Sequence, residues 1–520
     1  MILKTNSSIT KCPTLLVLFV LLLSTSISLA AQTITKLDNT ATLNHTENVS
    51  IYPSLKRQVI DGWGGSLCWW ANLIGGFSDA KVKQICDSIT DPKHGLNMNI
   101  FRFNIGGGDD PTHTHLGYGK NVPGYKASAA ASYDWNQDAN QRKILKQLIA
   151  SRIAQKGVND IQLIAFSNSP PHWMTISGCV SGHEAKSTCN LQPSMFVPFA
   201  DYLTEVVKHY HDSLGITFNT VEPFNEPFSD WWTAKGGQEG CYFGQNDQHT
   251  MIRELYSKLV SKNMTGYCSI SAMDANNLDD GYEGIKQYIA AGDIISKISR
   301  IDVHSYGGTQ RKALATLAAS LGKKVWQSES GPLWIGGSAN EQIMFIANRI
   351  VTDIKELQCP AWIDWQIASD HKGPQWGLFV WKYDDPSNYV YKSIAYYIRA
   401  QFSRYIKQGY TIIDNNHKNV LTAISPDEKE LVVTLNNADV FSRKFVVDLS
   451  AFTGLGAEAK QVQTLVTATT GNIETTVHLI RSSIIYDAPA GSVTTYIIPI
   501  HQSSSSVVAK GEIENGIKYN

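Results

Sequence analysis

The chain has 520 residues, with 45 basic and 46 acidic side chains and a net charge of -1. That balance lacks the basic surplus by which a protein grips nucleic acid. Only 18% of residues are charged, whereas 13 are tryptophan, a composition suited to an uncharged, hydroxyl-covered ligand whose C–H faces stack on rings.

In chain order, residues 1–31 read as a secretory signal peptide: Lys4 and Lys11 precede an apolar run from Leu15 to Leu23, and small residues around Ser28, Ala30 and Ala31 offer a cleavage site. The apolar run is short for a membrane span, so a secreted protein without membrane insertion is expected. Removing the leader leaves about 490 residues, enough for one large domain and a smaller one. Of eight cysteines, Cys12 lies in the leader. Cys179 and Cys189 stand in the loop-like stretch GCVSGHEAKSTCN, and an oxidising compartment predicts their pairing as a disulfide. Cys68, Cys86, Cys241, Cys268 and Cys359 fit no zinc spacing and read as buried thiols.

Short β-rich runs then alternate with helical patterns. The runs are VIDGWGG from Val59, MNIFRFNIGG from Met98, IQLIAFSNSP from Ile161, FNTVEPFNEP from Phe218, YCSISAMDA from Tyr267, RIDVHSY from Arg300, KKVWQSESG from Lys323 and AWIDWQIA from Ala361. Between them lie helical periods such as QRKILKQLIASRIAQ from Gln141 and NEQIMFIANRIVTDIKEL from Asn340. Eight strands alternating with helices predict a (β/α)8 TIM barrel over 59–400. A doubly wound open sheet is the competing architecture, but GGSLCWWA is not its Gly-rich phosphate turn. Beyond residue 400 the segments ELVVTLNNAD, KFVVDLSAF, KQVQTLVTA, TTVHLIRSS and TTYIIPI predict an all-β sandwich over 401–502. Residues 32–58 are strand-like and are expected to pair with it, and 503–520 read as a tail. All 13 tryptophans lie between Trp63 and Trp381, so stacking chemistry belongs to the barrel.

Barrel enzymes carry their chemistry at the C-terminal ends of strands. Strand two ends in Arg102 and then GGGDD with Asp109, strand three in SNSPPHW with Trp173, and strand four in Asn225 and Glu226. Strand six ends in His304 and Tyr306, strand seven in Glu329, and strand eight in Trp365. Two carboxylates from opposite strands are what cleaving a glycosidic bond requires: a proton donor and an ionised nucleophile, about 5–5.5 Å apart if configuration is retained. Asn225 could hold a sugar 2-hydroxyl, Arg102 would keep Glu329 ionised, and Tyr306 could donate to the same carboxylate. Glu222 sits four residues before Glu226, inside the strand, where an interior ion pair is expected. His113 and His115 in DDPTHTH alternate without a further cluster, so no metal is assigned. His209 and His211 diverge on a helix, and the absence of a G-x-S-x-G elbow argues against an esterase.

The segments DGWGGS, FRFNIGGGDD, SNSPPHWM, FNEP, VHSY, SESG, WIDWQ and FSRYI, in that order, resemble glycoside hydrolase family 30, the glucosylceramidase-like retaining enzymes. The resemblance runs from about Arg57 to Ile500. It implies a barrel fused to a β-sandwich built from both chain ends, with Glu226 as acid/base and Glu329 as nucleophile. Asn225, Arg102, Tyr306 and His304 match the partners of those two groups, and Asp109, Trp173 and Trp365 match residues lining the subsite of the attacked sugar. The Trp69–Trp70 pair departs from the glucosylceramidase-like members and looks like the endo-β-1,6-galactanase branch. The expected function is therefore a secreted, monomeric endo-β-1,6-galactanase acting on galactan side chains of arabinogalactan, without metal or organic cofactor. A β-1,6-glucanase or glucosylceramidase of the same family remains open, as does an inactive carbohydrate-binding protein.

Overall fold

The computed structural model describes residues 46–332, 337–370, 376–382, 387–467, 471–480 and 482–501. The expected leader, residues 32–45 and the expected tail lie outside the described residues. Strand β1 (Thr46–Val59) precedes eight parallel strands that close into a barrel: β2 (Gly62–Ser66), β3 (Ile100–Asn104), β4 (Gln162–Phe166), β5 (Thr220–Glu222), β6 (Ser269–Ala275), β7 (Ile298–His304), β8 (Val325–Ser330) and β9 (Ala361–Asp364). Pairing of Gly62 with Ala361 closes the ring, which disposes of the open-sheet alternative. All eight strands fall within the runs read from the sequence, except that β2 ends one residue later and β7 begins two residues earlier. The two helical periods appear as Ala139–Lys156 and Ala339–Thr352.

Alternation along each strand divides the barrel into two layers. Phe101 and Phe103 point outward into the core shared with the helices, while Ile100 joins Ile164, Trp326 and Ile363 in the barrel interior. Two residues further on, Arg102 occupies that same inner face. The lower interior thus carries an apolar layer, with the buried Arg300–Asp302 pair beside Trp326, and polar side chains crowd the interior at the C-terminal ends. Register shifts interrupt the alternation between Met273 and Ala275, between Val303 and His304, and between Gln327 and Ser330. Such irregularities re-aim side chains, and these three surround Asp274, His304 and Glu329.

After a small sheet of β10 (Ala368–Asp370), β11 (Phe379–Trp381) and β12 (Val390–Lys392), the chain enters the β module. Its strands are β13 (Thr411–Asn415), β14 (Val420–Ile424), β15 (Glu430–Asn437), β16 (Arg443–Asp448), β17 (Glu458–Leu465), β18 (Ile473–His478), β19 (Ser483–Ala488) and β20 (Ser492–Pro499). With β1 they form nine strands in the order β18-β17-β20-β15-β14-β13-β1-β16-β19. As expected, the N-terminal strand is part of this module, with Ile51 opposite Asn415. Val447 and Ile484 from one end of the sheet share a core with Ala459 and Ile498 from the other, so the sheet curls on itself. Its opposite face, carrying Leu421, Ala423, Val432, Val462 and Val493, packs into the same core as the barrel helices.

The cysteine pairing is corrected. Cys179 and Cys189 are free thiols, as are the other five described cysteines. The reason is local pairing: a bridge between Cys189 and Tyr242 brings Cys189 beside Cys241, while Cys179 Sγ faces His113 Nδ1 at 3.7 Å. No described helix is long and apolar enough to cross a membrane.

Candidate active site

Six of the expected residues meet at the barrel mouth. Arg102, wholly buried, sits over the Phe166 ring at 4.0 Å. Its Nη1 donates to Glu329 Oε2 at 2.6 Å and its Nη2 to Asn225 Oδ1 at 3.3 Å. Tyr306 donates its hydroxyl to Glu329 Oε1 at 3.1 Å. His304 Nδ1 stands 3.2 Å from Glu226 Oε1 and 3.5 Å from Glu329 Oε1. A carboxylate oxygen of Glu226 and one of Glu329 lie within 4.8 Å of each other.

Glu226 is delivered by an unusual backbone. Its φ is +50°, in the left-handed region that residues other than glycine enter at a cost of about 1–3 kcal/mol. The conformation is fixed by its N–H donating to the Asp274 carbonyl at 2.8 Å, and by its own carbonyl accepting from the Ser229 N–H and Trp232 Nε1. Asn276 Nδ2 then donates to Oε1 at 2.7 Å, which sets the direction of the carboxylate.

Electrostatics at the mouth follow from crowding. Burial opposes charge on His304, but Glu329 and Asp274 outweigh it and push the imidazole up to about 10. Burial likewise opposes charge on Arg102, and Asp274 and Glu329 overcome it. Burial raises the Glu329 carboxyl, with His304 and Arg102 pulling the other way. His304 thus joins Arg102, the expected partner, in favouring the ionised form of Glu329. Glu222 also departs from expectation. The buried arginines near it pair with other carboxylates, Arg102 with Asp274 and Glu329 and Arg300 with Asp302. Burial, then Asp274 and Asp302, raise the Glu222 carboxyl well above its ordinary range, and neither of its buried oxygens has a hydrogen-bond partner among the described residues.

The aromatic residues separate by burial. Trp69 meets Trp365 edge-to-face at 5.1 Å, with Lys120 Nζ 4.3 Å over the Trp69 ring. Trp70 is corrected: it is completely buried in the helix-side core and donates Nε1 to the Ser66 carbonyl, so it has no face for a ligand. Trp69 is itself buried at 8%, and only the second tryptophan pair divides by exposure, with Trp232 buried and Trp231 48% exposed. Trp173 is half-buried and donates to the Lys126 carbonyl. Asp109 turns its oxygens to His113, His115 and the Val180 N–H.

Sequence reading missed the contribution of the fifth barrel strand, β6. Asp274 binds Arg102 and Ser328 and lies 3.4 Å from His304 Nε2, and Asn276 follows it. Both end the run YCSISAMDA or stand just beyond, so the strand-end rule applied to that run would have found them. Trp376, edge-to-face with Tyr306 at 6.3 Å, carried no such signal.

Residues 46–368 match the O-Glycosyl hydrolase family 30 model. The chain belongs to that family. It is a glycoside hydrolase, and a polysaccharide is its class of substrate. The chain is 31% identical to an endo-beta-1,6-galactanase of Hypocrea rufa, over 77% of this chain and 81% of that protein. It is 24% identical to an exo-beta-1,6-galactobiohydrolase of Bifidobacterium longum subsp. longum, over 75% of this chain but 34% of that protein. Among solved structures, the catalytic domain of GH30 xylanase C from Talaromyces cellulolyticus superposes with a TM-score of 0.66 at 20% identity, covering 87% of this chain and all of that one. A conserved exported protein from Bacteroides fragilis superposes at 0.70 and 17% identity, with the same coverage. These two likenesses concern the fold.

Proposed function

We propose that this glycoside hydrolase is a secreted, monomeric, retaining endo-β-1,6-galactanase that cleaves galactan side chains of arabinogalactan. The observation that carries the chemistry is the approach of Glu226 and Glu329 within 4.8 Å. That spacing suits direct attack by one carboxylate, about 5–5.5 Å from its partner, and leaves no room for the water that inverting enzymes hold between groups about 6.5–9.5 Å apart. Glu329 attacks the anomeric carbon while Glu226 protonates the departing glycosidic oxygen. Glu226 then takes a proton from water, which displaces Glu329 and restores the original configuration. Arg102 and Tyr306 hold Glu329 by one hydrogen bond to each oxygen, and the Asn225 amide is placed to meet the 2-hydroxyl. The His304 imidazolium lies against both carboxylates and offsets their repulsion. The galactan assignment is supported by the H. rufa relative and by the partly buried Trp365 with the outward Trp231, whose faces suit a chain of sugars.

The test uses purified protein on β-1,6-galactan, β-1,6-glucan and glucosylceramide, alongside Glu226→Gln with an aryl β-galactoside and azide. Oligosaccharide release from galactan alone is expected, with azide rescuing the variant and yielding a β-azide. Release only from another substrate overturns the galactan assignment. Azide rescue of Glu329→Gln instead, giving an α-azide, exchanges the two roles.

A further inference from the structure

The loops above the barrel carry a second cluster, separate from the Glu226–His304–Glu329 group. His113 and His115 follow β3 and Cys179 follows β4, and one donor atom of each lies within 4.8 Å of the others. Asp109 completes the group. Its oxygens are 3.3 Å from His113 Nδ1, and Oδ2 is 2.9 Å from His115 Nε2. Cys179 Sγ is 3.7 Å from His113 Nδ1. A zinc ion held tetrahedrally at about 2.0–2.3 Å from its ligands spaces them roughly 3.3–3.8 Å apart; the Asp109–His113 and Cys179–His113 distances of 3.3 and 3.7 Å fall in that range, and the Asp109–His115 contact would open from 2.9 Å.

His115 points to the ligand. Its Nδ1 lies 2.7 Å from the Gly236 carbonyl, which can only accept, so Nδ1 carries the proton. In the neutral ring Nε2 then offers a lone pair. That atom is buried, lies against a carboxylate oxygen and makes no hydrogen bond. Two acceptors facing each other repel unless a proton or a metal cation stands between them, and a metal would draw in His113 and Cys179 as well. The surroundings have the second set of contacts that metal ligands need: the Gly236 carbonyl orients His115, and the Val180 N–H donates to Asp109 Oδ1 at 3.1 Å. The side chain of Asp109 is 2% exposed and that of His115 12%.

We propose that Asp109, His113, His115 and Cys179 form a structural zinc site that ties the loop after β3 to the loop after β4. Two imidazoles, a thiolate and a carboxylate are zinc's ligand types, and a hard carboxylate in fourth place favours zinc over copper. On binding, Cys179 releases its proton and coordinates as the thiolate. The two ligand charges then neutralise the ion in a nearly closed pocket. The staple that Cys179 was expected to provide with Cys189 is on this reading a metal link to a different loop.

The full chain, stripped with chelator and kept reduced with a phosphine, is titrated with zinc by calorimetry, with bound metal counted by mass spectrometry. One ion per chain is expected, with affinity falling by about a hundredfold in Cys179→Ser and in His115→Gln. Glu226→Gln distinguishes this site from the carboxylates at the barrel mouth and should bind zinc like the parent. Cobalt in the parent chain should give a thiolate-to-metal charge-transfer band that Cys179→Ser lacks. Absence of stoichiometric zinc, binding lost in Glu226→Gln but kept in Cys179→Ser, or a cobalt spectrum without the thiolate band would each overturn the site. The parent spectrum decides the matter even if a variant fails to fold.

Discussion

Glu226 and Glu329 have the same side chain and different surroundings, and the difference is what two chemical roles require. Glu329 receives Arg102 and Tyr306, one on each oxygen, whereas Glu226 receives Asn276 and faces His304. His304 is the shared member, and its charge has a consequence for stability. Its folded value of about 10 exceeds the ordinary 6.5 because Glu329 and Asp274 overcome burial. A raised value means the contribution is fully present below about pH 6.5 and is lost as pH rises through about 10. The melting-temperature advantage of the parent over His304→Gln should therefore be largest near pH 6 and shrink steadily toward pH 10. A difference that stays flat over that range would show that His304 is not charged in the folded protein.

At the scale of elements, the first barrel strand has no room for side chains where it meets its neighbour. Gly64 pairs with Ile100 on β3, and a Cβ at Gly64 would lie 2.1 Å from the Ile100 carbonyl oxygen. Backbone cannot yield as a flexible side chain can, so Gly64→Ala must open the β2–β3 seam. A loss of about 3 kcal/mol or more is expected, read by denaturant unfolding, and a loss below about 1 kcal/mol would refute the steric account. The same seam places Arg102, two residues beyond Ile100, at the mouth. The register shifts in β6, β7 and β8 do the corresponding work for Asp274, His304 and Glu329. Strict alternation from the inward Trp326 would send Ser328 and Ser330 inward and Glu329 out; the shift lets Glu329 reach Arg102.

For the molecule as a whole, the β module belongs to the barrel's core. Ile412, Leu421, Ala423, Val432, Val462 and Val493 share one buried cluster with the barrel helices, and helix Ile394–Ser403 packs on β17 and β20. Each of the five larger side chains is worth about 1.5–3 kcal/mol when buried, and together they rival the roughly 5–15 kcal/mol that holds an ordinary domain folded. A chain ending after Gly409 should therefore aggregate, as read by sedimentation of the soluble fraction. It would also leave β1 without its partner β13. A soluble, monomeric and active barrel from that truncation would mean that the module is dispensable.

The strand order, the closed barrel, the β module with its N-terminal strand and the residues at six strand ends were legible in the sequence. They depend on alternation, helical period and short motifs, which are local properties of the chain. Contacts between distant loops were not legible. Cys179 and Cys189 are close in sequence, yet one faces His113 and the other Cys241, because the loops after different strands cross over one another above the barrel. Trp70 and Trp69 are neighbours with opposite fates for a similar reason: the helix beginning at Trp70 turns one ring into the core and leaves the other beside Trp365. Asp274 and the cluster around His115 belong to the same class. Each gains its meaning from partners brought in by separate strands, and only closure of the barrel sets those distances.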